Sequence, residues 1–132
     1  MSGSTAVSAL LRGSDLYIGN VGDSRCIACI DGVAVALSMD HKPSDPLEKA
    51  RIIKAGGFVE QNRVNGNLAL SRAMGDFSFK QNANLSPEDQ IVSGCPDVVC
   101  RSVSQDWQFV LLACDGIWDV LSNQVIVLWP QS

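Results

Sequence analysis

From Thr5 to Leu37 the chain never runs more than eight residues before a turn signal interrupts it, and this punctuation constrains the fold more than any other feature. The apolar stretches are Thr5 to Arg12, Leu16 to Val21, Arg25 to Ile30 and Val33 to Leu37; between them stand Gly13-Ser14-Asp15, Gly22-Asp23-Ser24 and Asp31-Gly32. Asp-Gly between two apolar runs is a strong hairpin signal, because both central residues of a type I′ turn need positive φ. The pattern predicts an antiparallel meander of four strands.

A helix signature follows. Asp45 stands as N-cap, Pro46 at the first helical position, Glu48 where it would close a capping box, and Gly56-Gly57 as terminator, which together predict a helix from Pro46 to Ala55. Phe58 to Leu68 is polar, with turn signals around Asn65-Gly66, and Ala69 to Gly75 reads as a short helical turn closed by glycine. Gln81 to Gln90 reads as a loop with a second cap signal, Ser86-Pro87-Glu88-Asp89. Trp107 to Cys114 is unusually apolar for a strand, so it is expected in the middle of its sheet. No repeat, low-complexity segment or linker supports a boundary inside residues 1–132.

Composition narrows the classes. With 132 residues, 46% hydrophobic and 18% charged, the chain fits one globular domain or a piece of one. Its net charge of −4 has the wrong sign for coating nucleic-acid phosphates or an anionic membrane, so neither is an expected partner. The apolar runs, Val110 to Cys114 and Val125 to Trp129 among them, fall far short of the roughly 20 residues of a spanning helix. With no basic region before Arg12, no secretory signal is read, and the expected compartment is the cytosol or nucleus.

Five cysteines (Cys26, Cys29, Cys95, Cys100, Cys114) suit reduced thiols. A zinc site from Cys26, Cys29, Cys95 and Cys100 is disfavoured, because residues three apart on a strand face opposite sides. His41 is the single histidine, which excludes H-E-x-x-H chemistry and the two-histidine iron triad. Gly22-Asp23-Ser24 resembles the opening of a serine esterase motif. Its only possible base is His41, and Asp40 beside it in sequence has the wrong geometry to orient that base.

The informative residues are acidic. Asp115 directly follows the apolar strand, where an ionised carboxylate buried at a core strand end would cost several kcal/mol without a cation or donors. Asp119 follows at i+4, so a helical turn there places both carboxylates on one face, and the Gly22-Asp23-Ser24 turn can bring Asp23 to the same end. Oxygen ligands of this kind suit hard divalent cations. The same residues also serve as a turn residue (Asp23), a helix N-cap (Asp115) and a first-turn charge (Asp119), and spacing alone leaves both explanations open.

Several ordered stretches together resemble the PP2C (PPM) family of metal-dependent protein serine/threonine phosphatases. They are Gly3-Ser4-Thr5-Ala6, Asn20-Val21-Gly22-Asp23-Ser24-Arg25, Asp40-His41-Lys42-Pro43, Arg51-Ile52 with Ala55-Gly56-Gly57, Arg63 through Asp76, and Leu112 through Val120. The resemblance implies an α+β fold, an antiparallel β-sandwich flanked by helices, of which this chain is about half: a partial phosphatase domain over 1–132. It implies an Mg²⁺ or Mn²⁺ dinuclear centre, with Asp115 matching an aspartate of the core metal pair and Asp23 and Asp119 matching carboxylates of an additional, weaker site. It implies hydrolysis of phosphoserine and phosphothreonine in protein substrates by a metal-activated water. Phe58 to Asn67 is similar to part of a flap beside the substrate groove, while Arg63, Arg72 and Asp76 are assigned to scaffold or flap support, Arg-carboxylate pairing being the expected reason.

The family's N-terminal phosphate-contacting arginine and Asp-Gly-His-Gly block are absent from these residues, as is its C-terminal Asp-Asn block. The residues after Gln124, Val125 to Ser132, depart from the acidic amphipathic helix expected there and read as foreign to the pattern. The chain alone is therefore expected to be inactive. The alternative is a truncated, non-catalytic interaction module that competes for substrates or partners.

Overall fold

The computed structural model describes residues 2–129. In chain order the elements are β1 (Gly3–Ser4), β2 (Ala6–Arg12), β3 (Asp15–Val21), β4 (Arg25–Ile30), β5 (Val33–Ala36), α1 (Pro46–Lys54), β6 (Val59–Glu60), β7 (Arg63–Val64), β8 (Met74–Gly75), β9 (Asp97–Ser102), β10 (Trp107–Ala113), α2 (Asp115–Trp118) and α3 (Asn123–Val127). Short 3-10 turns lie at Phe77–Phe79 and Pro87–Asp89. Two compact units interleave along the sequence. One takes the residues up to Ala6, Val21–Asp23 and Asp40–Pro96, and the other takes Val7–Asn20, Ser24–Met39 and the residues from Asp97 onward.

The second unit is a sandwich. One sheet has the order β2-β3-β9 and the other β10-β4-β5. β3 pairs antiparallel with β9 from Asp15↔Ser102 to Asn20↔Asp97, and β4 pairs antiparallel with both β10 and β5. Alternation sorts the β4 side chains: Cys26 and Ala28 meet Leu16, Ile18 and Leu37 between the sheets, while Ile27 and Cys29 meet Trp118 of α2 and Val127 of α3 on the other face. The two cysteines of the C-x-x-C thus lie in different clusters, and all five are free thiols.

Two expectations are corrected here. The four N-terminal strands form at the expected places but not as one meander, because the chain changes sheets at Gly22-Asp23-Ser24. Leu16 and Ile18 can cover Cys26 and Ala28 only if β3 and β4 lie in facing layers rather than side by side. β10 stands at one end of its sheet order, not at the centre. Its apolar side chains pack on both faces without being fully buried, Trp107 and Val110 against the opposite sheet's cluster and Phe109, Leu111 and Ala113 against the helices' cluster, while Leu112 is exposed. A bulge between Trp107 and Phe109 shifts the register, and Gln108 accepts hydrogen bonds there from the Cys29 thiol (2.7 Å) and the Gly32 amide (2.8 Å).

The first unit packs Ile52 of α1, Val64, Ala73 and Val92 into a core of its own. α1 begins at Pro46 and ends at Lys54, with Gly56 at φ +92 supplying the left-handed residue that closes it. The capping box does not form: Asp45 makes no side-chain cap, and Glu48 is buried. The predicted helical turn at 69–75 is instead extended. Ser71 donates its amide to His41 O, Ala73 to Ser93 O, and β8 pairs with β1, so distant partners outbid the local helical signal. Both two-residue turns of the polar stretch have positive φ throughout, at Gln61-Asn62 and Asn65-Gly66, as does Asp31-Gly32 in the other unit. No helix among the described residues is long and apolar enough to cross a membrane.

Candidate functional site

The Gly22-Asp23-Ser24 turn is held by the segment that follows β5. His41 donates its amide to Gly22 O at 2.9 Å, and the Gly22 amide donates to His41 Nδ1 at 3.0 Å. Accepting at Nδ1 fixes the imidazole as a structural brace, and the histidine is buried. Gly22 has φ +105, and a Cβ there would meet Thr5 Cγ2 at 2.5 Å and Arg72 O at 2.9 Å, so only glycine fits. Asp23 is buried too, and Lys42 Nζ donates to its Oδ2 at 2.7 Å.

Asp115 and Asp119 sit at the two ends of α2. Asp115 is its first residue, with Cys114 as N-cap, and the Asp119 amide donates to Asp115 O at 2.8 Å at the C-cap. The expected i+4 turn is present, starting at Asp115 itself. Both residues are exposed, so Asp115 carries no burial cost of the kind its position after an apolar strand suggested. α2 is anchored by Trp118, whose Nε1 donates to Ala113 O at 2.6 Å and whose ring lies 5.0 Å from the Arg25 guanidinium. Asp119 borders a shallow hollow of about 560 Å³ together with Arg25, Trp118 and Asn123.

Of the three predicted carboxylates, Asp23 therefore has a cation of its own, and Asp115 and Asp119 share one helical turn. Among the described residues, no group of three or more His, Cys, Asp or Glu side chains stands close enough to hold a metal ion.

Sequence reasoning missed the first unit's most heavily bonded carboxylate. Glu48 receives Arg51 Nη1 at 2.5 Å, Arg72 Nη2 at 2.6 Å and the Ser71 hydroxyl at 2.7 Å. Burial alone would raise its pKa, but the hydrogen bonds from Arg72, Ser71 and Arg51 overcome that and hold it at about 2. Arg51 also donates to Gln90 O and Ser71 O, and Arg72 to Cys95 O. The Arg-carboxylate pairing expected of Arg72 is thus present, with Glu48 as the unforeseen partner. Arg63 donates to Asn67 O across the turn that follows β7, and the Asp76 amide donates to Ser2 O. Lys42 was also missed, although it lies in the Asp40-His41-Lys42-Pro43 stretch; its neighbour, the lone histidine, was the available signal.

The sequence model of the family described as Protein phosphatase 2C matches residues 1–128. Among curated relatives, a probable protein phosphatase 2C of Caenorhabditis elegans is 55% identical over 127 residues, which are 96% of this chain and 36% of that protein. Protein phosphatase 2C homolog 3 of Schizosaccharomyces pombe is 57% identical, covering 96% of this chain and 30% of its own length. Human protein phosphatase 1G is 51% identical over 99% of this chain and 24% of its own. The chain spans about a third, or less, of the length of these relatives. Among solved structures, a serine-threonine phosphatase 2C from Toxoplasma gondii superposes with TM-score 0.79 at 30% identity, covering 93% of this chain and 44% of that one. A C. elegans sex determining protein gives TM-score 0.82 at 32% identity, covering 94% of this chain and 30% of that one. The sandwich and its flanking helices have the fold of these solved structures, and the chain belongs to the protein phosphatase 2C family.

Proposed function

We propose that this chain is the segment of a protein serine/threonine phosphatase that contributes Asp23, Asp115 and Asp119 to a metal centre, and that it is inactive without the remainder of that centre. The observation that carries this reading is the family match over residues 1–128. The donors fit Mg²⁺ or Mn²⁺ in kind: all three are hard carboxylate oxygens, two exposed on one helical turn and one buried beside a positive charge. In number and placement they fall short of a site: among the described residues no three His, Cys, Asp or Glu side chains stand close enough to hold an ion, so on this reading the centre depends on oxygens from residues outside this segment. When bound, the metal supplies an activated water and charge neutralisation at a phosphate ester. The chain's own share is to present the carboxylates: His41 and Gly22 fix the turn bearing Asp23, and Trp118 fixes the turn bearing Asp115 and Asp119. The β6-β7 hairpin is assigned to the flap beside the phosphoprotein groove, and the compartment to the cytosol or nucleus.

The test is a chimera in which this segment replaces the matched 126 residues of the S. pombe relative. Hydrolysis of p-nitrophenyl phosphate and a phosphothreonine peptide should depend on Mn²⁺ and be lost in Asp115→Asn, while the 132-residue chain shows no turnover. A folded chimera without activity, or turnover by the chain alone, refutes the reading.

A further inference from the structure

We infer that β9 is a self-complementary edge through which two copies of this chain pair, strand against strand. β9 stands at one end of the sheet order β2-β3-β9, bonded to β3 on one side, and all its residues except the half-buried Val99 are exposed. Its outer edge therefore presents backbone donors and acceptors to another strand. In the sandwich the described strands that end a sheet order are β2, β9, β10 and β5, and of these only β9 carries charges of both signs.

Alternation puts Asp97, Val99 and Arg101 on one face of β9 and Val98 and Cys100 on the other. The register with β3 agrees: Asp97, Val99 and Arg101 stand opposite Asn20, Ile18 and Leu16, all buried, whereas Val98 and Cys100 stand opposite Gly19 and Tyr17. The two charges are symmetric about Val99, one two residues before it and the other two residues after. An antiparallel copy centred on Val99 therefore sets Asp97 of each chain opposite Arg101 of the other, Val99 against Val99, and Val98, which is 66% exposed, against Cys100. This is the isologous contact of a two-fold dimer, in which one patch serves both partners. A parallel copy in register would oppose like charges, and an antiparallel copy slipped by two residues would separate Asp97 from Arg101, so charge selects both direction and register. Charges on an edge strand discourage pairing where they meet their own sign. Here each meets its opposite. A contact made by one strand edge is small, which places the dimer in the weak, concentration-dependent class.

The experiment uses the unsubstituted chain and two charge reversals, Asp97→Arg and Arg101→Asp, read by sedimentation velocity over a concentration series and by cross-linking with a short bismaleimide. The unsubstituted chain should pass from monomer to dimer. Its Cys100 thiols lie diagonally across the pair, at about 7 to 8 Å between backbones, and mass mapping should find them bridged to each other more often than the exposed Cys114 thiols. Either reversal alone puts like charges opposite each other at both ends and should weaken self-association at least about tenfold. An equimolar mixture of the two variants should dimerise again, because the two positive charges of one then face the two negative charges of the other. The chain carrying both reversals should dimerise by itself. Monomer at every concentration, association indifferent to the reversals, or a mixture no tighter than either variant alone overturns the inference. Should a reversal fail to fold, the unsubstituted chain decides: dimer without the Cys100 bridge places the contact on another strand and overturns it too.

Discussion

Arg72 meets Glu48 Oε1 twice, with Nη2 at 2.6 Å and Nε at 3.1 Å, and Nε also lies 3.2 Å from Oε2. This paired contact joins α1 to the extended 71–73 segment, and Arg51 and Ser71 complete the ring around the carboxylate. Replacing Glu48 by Gln leaves two arginines, each largely buried, without their anion. The expected loss is about 3 to 5 kcal/mol of stability, measured by urea denaturation. Glu48→Asp, one methylene short of both guanidinium groups, should lose nearly as much.

The same carboxylate sets an acid limit. Its folded pKa of about 2 lies below the ordinary 4.5, since the bonds from Arg72, Ser71 and Arg51 outweigh the opposing effect of burial. A depressed carboxylate stabilises the fold fully above its unfolded pKa and loses that contribution as pH falls toward the folded value. Stability should therefore drop by on the order of 3 kcal/mol between pH 4.5 and pH 2, and Glu48→Gln should lack this component. Urea midpoints measured across that range in both chains check it.

Thiol reactivity should divide by face. Burial pushes the Cys26 thiol up to about 11, and Cys26 and Cys29 are both buried, whereas Cys100 and Cys114 are exposed. Iodoacetamide at pH 8 should label Cys100 and Cys114 in the native chain and reach Cys26 only after denaturation. Prompt native labelling of Cys26 would contradict the packing between the sheets.

Two glycines with positive φ should respond differently to alanine. At Gly32 (φ +74) a Cβ meets nothing within 4 Å, so Gly32→Ala should cost only the backbone strain, about 1 kcal/mol. At Gly22 the methyl would strike Thr5 and the Arg72 carbonyl as well, and Gly22→Ala should cost about 3 kcal/mol. Thermal or urea unfolding of the two variants distinguishes them.

What the sequence made legible was chemistry confined to a few neighbouring residues. Asp31-Gly32 and Asn65-Gly66 demand positive φ wherever they occur, and Pro46 with Gly56 brackets a helix without help from elsewhere. What it hid depended on partners far along the chain. Glu48 three residues after Asp45 has the form of a capping box, and only the approach of Arg72 from 24 residues away turns it inward. Ala69 to Gly75 has helical composition, yet His41 and Ser93 claim its amides. β10 reads as a central strand because side chains that pack on both faces look the same in sequence whether or not a strand lies on each side. Asp115 looked costly because the strand before it is apolar, and nothing local signals that the chain emerges into solvent at that residue.

The brace between Gly22 and His41 spans only 19 residues. Closing so short a loop costs little chain entropy, and the β4-β5 hairpin inside it closes most of that distance by itself. The position of Asp23 is thus a largely local property of the chain: one hairpin and the residues flanking it bring the turn together, and Thr5 and the Arg72 carbonyl close around Gly22 from farther along the sequence.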